Sequence, residues 1–138
     1  MRLLLTVTAL FWCATASAYN STEIVTATLI LEAGGEYHDG AMEAVHEVIL
    51  TRSAKRRLTP MQVCLQRLQF SCWNSGRIDQ LIAKAKRHPR WGEALFITQS
   101  PATNYTGGAD HYHADYCNPY WAKSLTRTTK IGRHIFYK

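Results

Sequence analysis

Two carboxylates, Glu32 and Glu36, bracket Ala33-Gly34-Gly35 in the stretch "LILEAGGEYHDG", residues 29–40. Glu32 closes an apolar run, where partial desolvation and the negative end of a helix dipole both disfavour the charged carboxylate. A general acid needs that setting to hold a proton near neutral pH and hand it to a leaving oxygen. The glycines beside it leave the backbone bare, so a polymer can approach without meeting side chains. The plainer alternative is an exposed helix-end acid followed by an ordinary glycine cap. Were the helix to continue through the glycines, Glu36 would lie one turn further on the same face and suit the second carboxylate of a glycosidase pair. It equally suits a cap for a helix beginning near Asp39.

Two further stretches carry chemistry-bearing residues. In "QFSCWN", Gln69, Ser71 and Asn74 stand among Phe70 and Trp73. Sugar sites use this mixture, with aromatic faces under the ring and amides or hydroxyls fixing its hydroxyls. In "DHYHADY", a strand would place His111, His113 and Asp115 on one face, a spacing that suits zinc as well as an ordinary polar sheet face. The chain is basic, with 16 Lys and Arg against 10 Asp and Glu and a net charge of +6. That favours an anionic partner: nucleic acid, a membrane surface or an acidic wall polymer. The clusters "RSAKRRL" and "KAKRHPR" also read as solvated helix faces.

The elements that must position these residues follow from periodicity. "STEIVTATLILEA" carries a helix start at Ser21 and Thr22 with an early acid, Glu23, and a largely buried helix that Gly34-Gly35 ends. A second helix spans about Ala41 to Arg57, with Ala41, Ala44, Val45, Val48 and Ile49 as its core stripe and Glu43, Glu47 and the basic tail outside. Thr59-Pro60 opens a short third helix, "QFSCWNSGR" reads as an extended loop, "IDQLIAKAKRH" is amphipathic up to Pro89, and "RWGEALFITQS" adds a further helical piece. Beyond "PATNYTGGA", the β-formers of "DHYHADY" and "SLTRTTKIGRHIFYK" predict a small sheet that turns at Ile131-Gly132. The expected fold is a single α+β domain, helices first and sheet last.

At the start, Arg2, an apolar stretch to about Ala14 and Ala16-Ser17-Ala18 fit an export signal cleaved after Ala18, leaving residues 19–138 as one domain. A buried first helix or an uncleaved anchor is the alternative, but the run is short for a membrane span. Export argues against a nucleic-acid partner and for an oxidising compartment. Cys13 leaves with the signal, and Cys64, Cys72 and Cys117 remain; the expected bridge is Cys64–Cys72, with one thiol left over.

Taken in order, "ILEAGGEYHDGAMEAVHEVILTR", "QFSCWN" and "TGGADHYHADYCNPYWAKSLTRTTKIGRHIFYK" resemble the SleB/CwlJ-type cell wall hydrolases over almost the whole chain from about residue 23. The resemblance implies a lysozyme- or lytic-transglycosylase-like α+β fold. It also implies cleavage of peptidoglycan glycan strands between N-acetylmuramic acid and N-acetylglucosamine, as a lytic transglycosylase or a muramidase. Glu32 takes the place of the catalytic acid, and Glu36 matches the second acid of the motif. Gln69, Phe70 and Ser71 match one cleft wall, and His111, Tyr112, His113, Tyr120 and Trp121 the other. No cofactor or metal is implied, the partner is the glycan strand, and the exported protein is expected to be a monomer free of the membrane. Gly34 departs from the family's usual arginine, a cation that would act on one of the acids. The competing readings are a zinc amidase built on His111 and His113 and a non-catalytic wall-binding module.

Overall fold

The computed structural model describes residues 19–138, so the expected export signal lies outside the described residues. Five α-helices come first: α1 Ser21–Ala33, α2 Ala41–Arg56, α3 Pro60–Leu65, α4 Ile78–Lys86 and α5 Trp91–Gln99. A three-stranded antiparallel sheet follows, with β1 His111–Ala114, β2 Arg127–Ile131 and β3 His134–Tyr137 in the order β1-β3-β2. The sequence-based expectation of an α+β domain, helices first and a small sheet last, holds. Among the described residues no helix is long and apolar enough to cross a membrane.

Helix α1 is the hub, packed against α2, α3, α4 and α5. Every residue from Ile24 to Ile30 is buried, so the helix is covered on all sides, as a helix without a polar face must be. Its buried threonines are satisfied: Thr28 Oγ1 donates to the Ile24 carbonyl at 2.8 Å, and Thr26 Oγ1 meets Thr98 Oγ1 at 3.2 Å. The helix begins one residue earlier than the Ser21 signal suggested. Asn20 is the cap, its side chain accepting from the Glu23 amide while Glu23 reaches back to the Asn20 amide.

Thr59 and Gln62 form the same reciprocal box at the start of α3, with Pro60 in the first turn. The segment expected to be extended around Phe70 instead tightens into a 3-10 turn at Ser71–Trp73. Trp73 explains the tightening: its indole Nε1 donates to Thr28 Oγ1 at 3.0 Å and pins the turn to α1. Sheet register pairs Tyr112 with Phe136 and His113 with Ile135, and Gly132 turns the β2–β3 hairpin at a φ of +56°.

Two expectations are corrected here. Glu47 does not face outward from α2; it is 5% exposed and binds the 103–106 loop. Its carboxylate accepts from the Tyr105 and Thr106 amides and the Thr103 and Thr106 hydroxyls. Burial pushes the Glu47 carboxyl up, but these donors outweigh it and hold it below the usual range. The Cys64–Cys72 bridge is not formed: Cys64, Cys72 and Cys117 are all free thiols. Cys64 is buried on α3 beside Thr28, and the Cys72 thiol lies against Glu32.

Candidate active site

Glu32 sits in the last turn of α1, half-buried, with both carboxylate oxygens engaged. Oε1 accepts from the Cys72 amide at 3.2 Å, and Oε2 accepts from the Tyr112 hydroxyl at 2.7 Å. The thiol of Cys72 also hydrogen-bonds to Glu32. Three elements therefore converge on one acid: α1 carries it, the 3-10 turn offers a backbone donor, and β1 offers a phenol. Burial and the adjacent Glu32 carboxylate hold the Tyr112 phenol well above its usual range, so it stays a donor. The same two causes, burial first, push the Cys72 thiol far up, so it is no nucleophile.

A cleft of about 590 Å³ opens over Glu32. Gln69, Ser71 and Asn74 line one wall, and Tyr112, His113 and His134 another. A second cavity of about 420 Å³ adjoins it and includes His111, Tyr120 and Trp121. Arg52, Leu68, Gln69 and Tyr112 line both, so the two lie side by side as a trough. Leu68, 71% exposed and with a left-handed φ of +62°, stands on the divide.

Alternation along β1 divides the labour. Tyr112 points to one side, against Phe70 at 6.5 Å, Phe136 at 5.5 Å and His134 at 5.0 Å between centroids. His111 and His113 point to the other, both packed on Trp121, at 5.1 and 5.6 Å. Phe70 is 2% exposed and lies beneath the trough rather than in its wall. Asp115 falls beyond the end of β1 and pairs with Lys130 at 2.7 Å, so the expected His111, His113 and Asp115 face is not assembled. The histidine nitrogens have other partners: His111 Nδ1 meets Asp110 at 2.8 Å, and His113 meets the Ala114 carbonyl and the Tyr137 hydroxyl. Among the described residues no group of three His, Cys, Asp or Glu is placed to hold a metal ion.

Glu36 is directed elsewhere. Its Oε1 accepts from Arg133 Nε at 2.7 Å and its Oε2 from the Arg133 amide at 3.3 Å, tying the loop after α1 to the β2–β3 turn. The Arg133 hydrogen bonds hold the Glu36 carboxyl below its usual range. It lines neither cavity and caps no helix; α2 starts at Gly40 without a side-chain cap. Gly34 is helical at φ −61°, and a Cβ added there would lie 2.5 Å from the Ile30 carbonyl oxygen. The cation nearest in hydrogen-bond terms is Arg90, which donates to the Gly34 and Glu36 carbonyls and pairs with Glu93 rather than with Glu32.

The sequence model of the cell wall hydrolase family matches residues 35–137. The chain belongs to that family. The hydrolase is accordingly an enzyme of the bacterial wall, acting on peptidoglycan. Its described fold is that of the catalytic domain of the Bacillus cereus SleB protein, seen in a crystal structure that covers 89% of this chain and 94% of that one. The TM-score is 0.56 and the identity 21%. No curated protein matches it. The family match begins at Gly35, three residues past Glu32, so the place of that acid in the hydrolase rests on the geometry above.

Several lining residues escaped the sequence reading, among them Arg52, Cys72 and His134. Arg52 continues the core stripe of α2, four residues after Val48 and three after Ile49, and a stripe position occupied by arginine was the signal for it. Cys72 and His134 carried no such sign, because their contacts with Glu32 and Tyr112 cross between distant segments.

Proposed function

We propose that this hydrolase cleaves the β-1,4 bond between N-acetylmuramic acid and N-acetylglucosamine as a lytic transglycosylase, with Glu32 as both acid and base. The observation that carries the reading is that Glu32 is the single carboxylate among the residues lining the trough. Protonated Glu32 donates to the glycosidic oxygen as positive charge builds on the muramyl anomeric carbon. With no second carboxylate to activate water, the resulting carboxylate takes the proton of the muramyl C6 hydroxyl. The C6 oxygen then closes on the anomeric carbon, giving an anhydro sugar. Tyr112 and the Cys72 amide fix the acid, and Gln69, Ser71, His113 and Trp121 offer the hydrogen bonds and aromatic faces a glycan requires. Glu36 takes the role of a latch on the β2–β3 turn. Export, with residues 1–18 removed after Ala18, and a monomeric state complete the reading.

Mass spectrometry of digested peptidoglycan tests it. The expected product is anhydro-muramyl fragments, lighter by one water than hydrolysis products, and Glu32→Gln lowers their formation by about 100-fold or more. Reducing-end products alone would overturn the transglycosylase assignment, and full clearing of purified walls by Glu32→Gln would overturn the acid.

A further inference from the structure

The second cavity of the trough has a charge the cleavage step does not use. Two guanidiniums, Arg52 and Arg56, face it together with Gln69, His111, Tyr120 and Trp121, and no carboxylate lines it. Arg52 is only 6% exposed, yet its hydrogen bonds run to neutral carbonyls: Nε to that of Asp110 at 2.7 Å and Nη1 to that of Gln69 at 3.4 Å. Its face lies over the Phe70 ring, 5.2 Å from the centroid. Arg56 places Nη1 between the side-chain oxygens of Gln66 and Gln69, each at 2.7 Å. Neither arginine forms an ion pair among the described residues; the charge of Arg56 acts against that of Arg52, while the Asp110 and Glu32 carboxylates favour it without contact. The neighbouring acid, Asp110, is already held by Lys55 at 2.6 Å and His111 at 2.8 Å.

A buried cation whose hydrogen bonds go to neutral groups has its desolvation cost repaid only in part, and a planar guanidinium recovers the rest best with a contacting carboxylate. The surroundings say what bears that carboxylate. Trp121 and Tyr120 line the same cavity, and Tyr112, whose hydroxyl holds Glu32, lines both it and the cleft over that acid. A sugar ring against those side chains lies next along the strand from the bond at Glu32.

We propose that the Arg52–Arg56 cavity is a subsite for a carboxylate carried on the lactyl arm of a muramyl residue beside the cleaved bond. The inference rests on the glycan-strand reading above and adds to it the chemistry by which muramyl and glucosaminyl rings are told apart. The carboxylate has two sources, the free lactyl acid and the acids of an attached stem peptide. Both offer the same charged group to the arginines.

The test is a binding titration with three muramyl–glucosaminyl tetrasaccharides: one with free lactyl carboxylates, one with those groups converted to methyl amides, and one bearing stem peptides. Tryptophan fluorescence is read on rapid mixing, ahead of turnover. The unaltered protein is expected to bind the free acid about tenfold more tightly than the amide, with the advantage shrinking in high salt. Arg56→Gln is expected to erase the difference while circular dichroism stays native. A peptide-bearing ligand that exceeds the free acid assigns the site to the stem peptide, and one that falls below it assigns the site to the lactyl acid. Equal affinity of the unaltered protein for acid and amide overturns the proposal, as does a preference retained by Arg56→Gln. Binding is read without cleavage, so failure of the Glu32 assignment would appear in product masses and leave this result standing.

Discussion

The hydroxyl of Tyr112 donates to Oε2 of Glu32 at 2.7 Å, joining the first helix to the first strand across 80 positions of sequence. That bond makes the sheet part of the candidate site rather than an appendage to the helices. With the Cys72 amide on the other oxygen, it leaves the carboxylate little freedom to rotate.

Tyr112→Phe removes the donor and keeps the ring on Phe136 and His134. Loss of orientation predicts a fall in kcat of roughly 100-fold with KM little changed. Initial rates on soluble glycan fragments decide it; an unaltered kcat would mean that Tyr112 only fills space.

Glu36 and Arg133 couple stability to pH. Because the Arg133 hydrogen bonds hold the Glu36 carboxyl below its usual range, the unfolded chain binds a proton there more readily than the folded one. The latch contributes fully above the ordinary carboxylate range and is lost as pH falls through the lowered folded value. Melting curves from pH 7 to pH 3 should therefore drop less steeply for Glu36→Gln than for the parent protein, and the variant should melt lower at pH 7. Parallel profiles would dismiss the latch.

Placing at position 34 the arginine that the resemblance leads one to expect meets the backbone. Since an added Cβ lies 2.5 Å from the Ile30 carbonyl, Gly34→Arg must shift the end of α1 and Glu32 with it. A loss of about 1–3 kcal/mol in denaturant unfolding is expected, together with weaker wall clearing. Gly35→Ala, which has nothing within 4 Å, is the control and should unfold like the parent. A Gly34→Arg protein as stable as the parent would show that the helix end gives way freely.

Glu47→Gln replaces an acceptor of four donors with a group that itself donates. Destabilisation of about 1–3 kcal/mol follows, with faster amide exchange at Tyr105 and Thr106 than elsewhere. Protection retained at those two amides would count against the anchor.

Legibility from sequence tracked the distance over which each feature is decided. The end of α1 at Glu32, the Thr59-Pro60 start and the turn at Gly132 are local matters of capping and glycine, and periodicity found them. Gln69, Ser71, Tyr112, His113, Tyr120 and Trp121 come together in the trough, although their own residue types offered only a generic sugar-site signal. What stayed hidden depends on which way a polar side chain turns. Glu47 and Arg52 stand among charged neighbours on a helix and read as solvent-facing, yet both are buried because distant backbone groups answer them. Glu36 has the right spacing for a second catalytic carboxylate, but Arg133, 97 residues away, claims it. The free thiols followed the same logic, since Cys72 finds its partner in Glu32 rather than in Cys64.

The order β1-β3-β2 gives this wall-cutting chain a built-in schedule. β1 and β2 each pair only with β3, so the strand that places Tyr112 against Glu32 has no sheet to join until residues 134–137 have been synthesised. A chain cut before β3 would lack the strand on which β1, and with it Tyr112, is registered. Tyr112 is thus held against Glu32 through a partner strand that comes later in the chain than either residue.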